Sequence, residues 1–119
     1  MSEHSLSRKE HLKKSALIKN VFDKGVCYRA KSVNIYILKR EADTGVNRAG
    51  FICRKILYQK KTVLRNRFRR ILREAYRKTK NILPTGYDIV ILATNVKKDT
   101  KSTIIENEIE NVFKKYIKK

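Results

Sequence analysis

The chain has 119 residues, with 30 Lys or Arg against 11 Asp or Glu, for a formal charge of +19. That length suits one domain over 1–119 and not two with separate cores, while the charge calls for a polyanionic partner to relieve self-repulsion. No apolar run approaches the roughly 20 residues of a bilayer span, the polar start Met1-Ser2-Glu3-His4 lacks a signal-peptide core, and Cys27 and Cys53 match no metal-ligand spacing, so a cytoplasmic protein with reduced thiols is expected.

In chain order, residues 1–13 read as a polar, basic arm that stays mobile until something binds it. Ser15 is placed to cap a short helix carrying Leu17, Ile18, Val21 and Phe22 and ended by Gly25. Val33 to Leu38 alternates as a strand, with Val33, Ile35 and Ile37 on one face and Asn34, Tyr36 and Leu38 on the other. Glu41 to Asn47 reads as a hairpin-type turn through Asp43-Thr44-Gly45, and Ala49 to Arg54 as the next strand. A basic connection over Leu57 to Lys61 leads to a helix for which Thr62 is a plausible cap. Pro84-Thr85-Gly86 breaks the chain before Tyr87 to Ala93, a near-continuous apolar run typical of a strand covered on both sides. After a polar turn at Lys97 to Lys101, a second amphipathic helix starts at Thr103 with a Thr103-x-x-Glu106 capping box. The order αββαβα implies an α+β sandwich, a small sheet with helices packed on it, and a helix between the second and third strands implies one parallel pair.

The helix after Thr62 carries the chemistry. Over Thr62 to Lys78 it holds seven positive charges and one carboxylate, Glu74. At 100° per residue, Leu64, Phe68, Ile71, Leu72 and Ala75 share one sector suited to a core. Arg65, Arg69, Arg70, Arg73 and Arg77 fan across the other side with Asn66 among them. Helix propensity explains some exposed arginine. Six arginines between Arg65 and Arg77 exceed that need, and a planar, permanently charged fork suits bidentate phosphate contact better than lysine does. Glu74 reads as an ion-pair partner of Arg70 or Arg77.

The stretch Leu64-Arg65-Asn66-Arg67-Phe68-Arg69-Arg70-Ile71-Leu72-Arg73-Glu74-Ala75-Tyr76-Arg77, following a strand that ends in Arg54-Lys55, resembles the Arg-Asn-Arg signature of the bacterial ribonuclease P protein subunit. The resemblance extends to Val21-Phe22-Asp23-Lys24-Gly25, to the strand with Tyr36 and to Tyr87-Asp88-Ile89-Val90-Ile91. It implies the small protein of an RNA-based endonuclease that removes 5′ leaders from precursor tRNA, with the active site in the RNA subunit. It also implies a left-handed crossover, against the general rule for parallel connections. Two departures stand out. The link 56–62 is longer and more basic than the short small-residue link usual in the family, which affects where the helix begins. Ile18 occupies a position that is commonly Phe.

The resemblance assigns Arg54, Lys55, Arg65, Asn66, Arg67, Arg69, Arg70, Arg73 and Arg77 to the catalytic RNA. It assigns Ile18, Phe22, Asn34 and Tyr36 to a cleft for the single-stranded leader, and Arg29, Lys31 and Arg54 are placed to flank that path. From spacing alone Phe22 reads as a core position, and only the resemblance moves it to the cleft. Tyr36 is independently suited to a base, because it lies opposite the apolar face of its strand. His4 and His11 lack a companion acid or nucleophile and read as solvated arm residues, and Asp88 alone makes no two-metal site. The expected cofactor is Mg²⁺, held mainly by the RNA. The expected partners are the catalytic RNA and precursor tRNA, with no membrane and a monomer in the absence of RNA. A structural ribosomal protein remains the alternative that composition allows.

Overall fold

The computed structural model describes residues 8–40, 45–54, 61–97 and 99–118. In chain order it has a 3₁₀ turn over Arg8–Glu10, helix α1 over Ser15–Lys24, strands β1 over Val26–Arg29, β2 over Val33–Lys39 and β3 over Arg48–Cys53, helix α2 over Thr62–Thr79, a 3₁₀ turn over Lys80–Ile82, strand β4 over Tyr87–Ala93 and helix α3 over Ser102–Ile117. The α+β sandwich is as expected, with one strand added. β1 has four residues, too short a run for alternation to identify it, and it pairs antiparallel with β2.

The sheet runs β1-β2-β4-β3, with β4 antiparallel to β2 and parallel to β3. The parallel pair is therefore present, but β2 and β3, which flank the expected hairpin turn, are not neighbours. β4 lies between β2 and β3 because its run Ile89-Val90-Ile91 is apolar on both sides and belongs where both faces are covered. Turn chemistry fixes a bend, not the pairing partner. Residues 41–44 of that turn and residues 55–60 of the long link, Lys55 included, lie outside the described residues.

One face of the sheet is fully roofed. Val33, Ile35 and Ile37 of β2, Ile89 and Ile91 of β4 and Phe51 of β3 meet Phe68, Leu72, Ala75 and Tyr76 of α2 and Ile105, Ile109 and Phe113 of α3. The stripe expected on α2 packs inward, and Tyr76, which lies at its flank, joins it with Phe51 and Phe113 edge-on to its ring. The three helices start without the expected caps: Lys14, Lys61 and Lys101 occupy the cap positions, and no side chain bonds the first turn.

The opposite face has a smaller core of Leu12, Val21 and Val90, with Ile18, Phe22, Tyr36 and Ile52 half-buried around it. Part of the expected arm packs here. From residue 8 onward the segment is docked along the outer edge of β3: the Leu12 N–H donates to the Ala49 carbonyl at 2.9 Å, His11 bridges Ala49, and the Lys80 ammonium holds the Glu10 carboxylate at 3.1 Å. An edge strand offers unpaired backbone groups that such a segment can satisfy. Gly50 permits the approach, since a Cβ there would sit 3.1 Å from the Leu12 carbonyl oxygen. Residues 1–7 lie outside the described residues.

Beyond α1 a polar knot ties the end of this face. Buried Asp88 accepts from Arg48 at 2.8 Å through both carboxylate oxygens and from Arg40 at 2.6 Å. Arg40 also donates to the Gly45 and Val46 carbonyls. Gly86, at φ 97°, supplies the turn into β4, and its carbonyl accepts the Arg40 N–H.

Candidate nucleic-acid interface

Two surfaces emerge from this frame. The first is the outer side of α2. Because Phe68, Leu72 and Ala75 anchor the helix in the core, the 3.6-residue repeat turns Arg65, Asn66, Arg67, Arg69, Arg70 and Arg73 to solvent, and all six are exposed. Among the described residues no carboxylate ion-pairs with these five arginines. Arg77 differs: its guanidinium pairs with Glu74 one turn back, and that hydrogen bond, ahead of the charge of Arg77 itself, holds the Glu74 carboxyl below its ordinary range. The expected Glu74 ion pair is thus with Arg77. A depression of about 740 Å³ runs along this side past Asn66, Arg67 and Arg70 to Thr100 in the loop before α3.

The second surface is the cleft beside α1. Strand register places Cys27, Tyr36, Val90 and Gly50 in one row across the sheet, and Arg29, Asn34, Leu92 and Ile52 in the next. Alternation puts both rows on the α1 side. α1 covers the first: Val21 is buried beside Val90, and the Phe22 ring stands edge-on to Tyr36 at 4.7 Å between centroids. The second row stays partly open, with Arg29 exposed and Asn34, Leu92 and Ile52 half-buried. Burial, then a hydrogen bond with Cys27, raises the Tyr36 phenol, so it remains a neutral donor and acceptor. Lys31 projects from a turn held by Ser32, whose N–H donates to Glu108 of α3 at 2.7 Å.

The two surfaces meet at the β3 edge. A groove of about 360 Å³ is lined by Ile18 and Ile52 from the cleft, Arg65 and Arg69 from α2, and Lys13 between them. A neighbouring groove brings His11 and Lys13 against Arg69 and Arg73. His11 is half-buried, not solvated as expected, and burial, then Arg73 and Lys13, push its pKa below 6.5. Lys13 and His11 carried no signal at the sequence level, because docking of the segment depends on backbone bonds to β3. Arg54 is exposed at the end of β3. Ile18 closes over Gly50, 3.8 Å from where a Cβ would stand, and so belongs more to the floor of the cleft than to its mouth. Buried Cys53 has its thiol pushed up to about 11, whereas Cys27 is exposed in the cleft. Among the described residues no three His, Cys, Asp or Glu side chains gather into a metal site. Asp88 is engaged by two guanidiniums, so these residues do not fit a protein-held divalent cation. No helix among them is long and apolar enough to cross a membrane.

These features define a class: small, strongly basic α+β proteins that fix exposed arginines on a core-anchored helix beside a half-open sheet. The family model described as Ribonuclease P matches residues 6–117. The chain is 36% identical to the ribonuclease P protein component of Clostridioides difficile over 111 residues, covering 92% of this chain and 93% of that one. The solved structure of Staphylococcus aureus RNase P protein superposes with a TM-score of 0.72 at 26% identity, covering 90% and 94% of the two chains. The Thermotoga maritima RNase P protein shares the fold with a TM-score of 0.71. The chain belongs to the ribonuclease P protein family.

Proposed function

We propose that this chain is the RNA-binding protein subunit of a ribonuclease P, which assists removal of the 5′ leader from precursor tRNA while a catalytic RNA performs the cleavage. The observation that carries this reading is the arginine face of α2: Arg65, Arg67, Arg69, Arg70 and Arg73 exposed on a helix whose other side is locked into the core. Such a row neutralises the dense phosphate of a folded RNA and releases counterions on binding. Asn66, at its centre, donates and accepts toward a phosphate or a sugar hydroxyl. Arg54 and Lys55 extend this contact, and Arg77 joins it while sharing its charge with Glu74.

The cleft takes the single-stranded leader. Tyr36 and Phe22 offer aromatic faces, Asn34 a hydrogen-bonding edge, and Arg29 and Lys31 charge for the phosphates, a combination that holds bases with little regard to sequence. Ile18 floors the same cleft. Mg²⁺ held by the RNA partner would supply charge neutralisation for the hydrolysis, and the protein lowers repulsion between the two RNAs. Self-repulsion at +19 keeps the free chain monomeric, and the cytoplasm, where precursor tRNA is made in bacteria, is its compartment. The chain mixed with a bacterial catalytic RNA is expected to lower the Mg²⁺ concentration needed to cut precursor tRNA. Cleavage that is unchanged across Mg²⁺ concentrations would overturn the assignment.

A further inference from the structure

Edge strand β1 is the wall of two sites. Successive residues of a strand project to opposite faces, so Cys27 and Arg29 border the cleft while Val26 and Tyr28 turn to the helix-covered side. There they line a pocket of about 430 Å³ with Lys39, Tyr87, Tyr116 and Ile117, at the C-terminal end of α3. The Tyr116 ring lies 6.1 Å from Tyr28 and 5.5 Å from Tyr87, tilted to the first and edge-on to the second. None of the three rings is fully buried, and Val26 and Ile117 at the rim are 46% and 47% exposed. The cluster is thus an open aromatic pocket at the margin of the sheet.

We propose that this pocket receives a nucleobase of the same RNA strand that lies in the cleft, from a nucleotide further toward the 5′ end, where the strand passes over the edge of β1. This rests on the reading of the cleft as the leader's path. Two features select the occupant. A second copy of the chain would bring another +19 of charge, whereas a polyanion is attracted, and exposed Lys39 stands at the pocket to meet a phosphate. The phenol rings offer flat faces with hydroxyls, which suit an unstacked base. Continuity is supplied by β1 itself, whose alternate residues belong to the cleft and to the pocket.

The experiment uses protein reconstituted with a bacterial catalytic RNA and precursor tRNAs of increasing leader length, each carrying one photoreactive 4-thiouridine at a stepped position. Upstream positions are expected to cross-link to the peptide containing Tyr116, and positions nearer the cleavage site to the peptide containing Tyr36. Tyr116→Ala should weaken binding about tenfold for leaders long enough to reach the pocket, leave shorter leaders unchanged, and be rescued by Tyr116→Phe. Equal effects on short and long leaders, or cross-links confined to the Tyr36 region, would overturn the pocket while leaving the cleft standing. Absence of cross-links at both places would remove the reading beneath it. A concentration-dependent dimer abolished by Tyr116→Ala would give the pocket to a second copy and also overturn the proposal.

Discussion

The two faces of the sheet divide the work of the molecule. One is closed by α2 and α3 over a continuous core in which Phe68, Leu72, Tyr76, Ile105, Ile109 and Phe113 are each at most 2% exposed. The other is covered only by ten-residue α1 and the docked segment before it, and it leaves Arg29, Asn34, Leu92 and Ile52 partly open. The difference teaches where this fold can afford to be incomplete. The closed face holds the larger apolar core and aims the arginines of α2 outward by fixing the opposite side of that helix. The open face leaves Arg29 exposed and Asn34 and Tyr36 half-buried, where the proposed single strand would lie.

The sharpest way to break the contrast is to attack the knot at the end of the open face. Asp88→Ala removes the buried carboxylate that Arg40 and Arg48 share. Urea denaturation should register a loss of about 3–5 kcal/mol. A loss below 1 kcal/mol would mean that the knot is solvated and contributes little. Next in size, Phe22→Ala with Tyr36→Ala should reduce the preference for leader-bearing over mature tRNA by about 1–3 kcal/mol per unstacked base, measured as a ratio of dissociation constants. Equal weakening for both RNAs would contradict the cleft. Arg69→Ala with Arg73→Ala should flatten the salt dependence of binding to the catalytic RNA by about one unit of slope per lost phosphate contact, with circular dichroism unchanged.

The smallest effect concerns His11. Its folded pKa lies below the ordinary 6.5, so the folded protein favours the neutral imidazole. The stability this contributes is fully present above pH 6.5 and is lost as pH falls through the folded value. An NMR titration of the free protein should place the His11 midpoint below 6.5; a midpoint above it would show that burial and the neighbouring Arg73 and Lys13 do not govern this site.

Long periodic segments were legible from the residues alone. The α2 stripe of Phe68, Leu72 and Ala75, the alternation of β2 and the double-sided apolar run of β4 each carry a period that burial enforces. What stayed hidden depends on partners remote in sequence. Asp88 meets Arg40 and Arg48 only once the sheet is assembled, and β1 is recognisable only through its pairing with β2. Docking of Leu12 rests on a backbone bond to Ala49 and on the absent side chain of Gly50, neither of which leaves a periodic trace. β2 and β3 run in opposite directions, but no local pattern signalled the insertion of β4 between them. On the site, the exposed arginines followed from helix geometry, whereas the placement of Lys13 and His11 beside Arg69 and Arg73 required the tertiary fold.

Cys27 provides the most direct test of the division between the two surfaces, because it is exposed opposite Tyr36 while Cys53 is buried. Alkylation of Cys27 would be timed in the protein bound to catalytic RNA, alone, with mature tRNA and with leader-bearing precursor. The account predicts marked slowing only with the precursor, since the helix docks one RNA and the cleft takes the other. Equal slowing by the catalytic RNA alone, or none with the precursor, would contradict it.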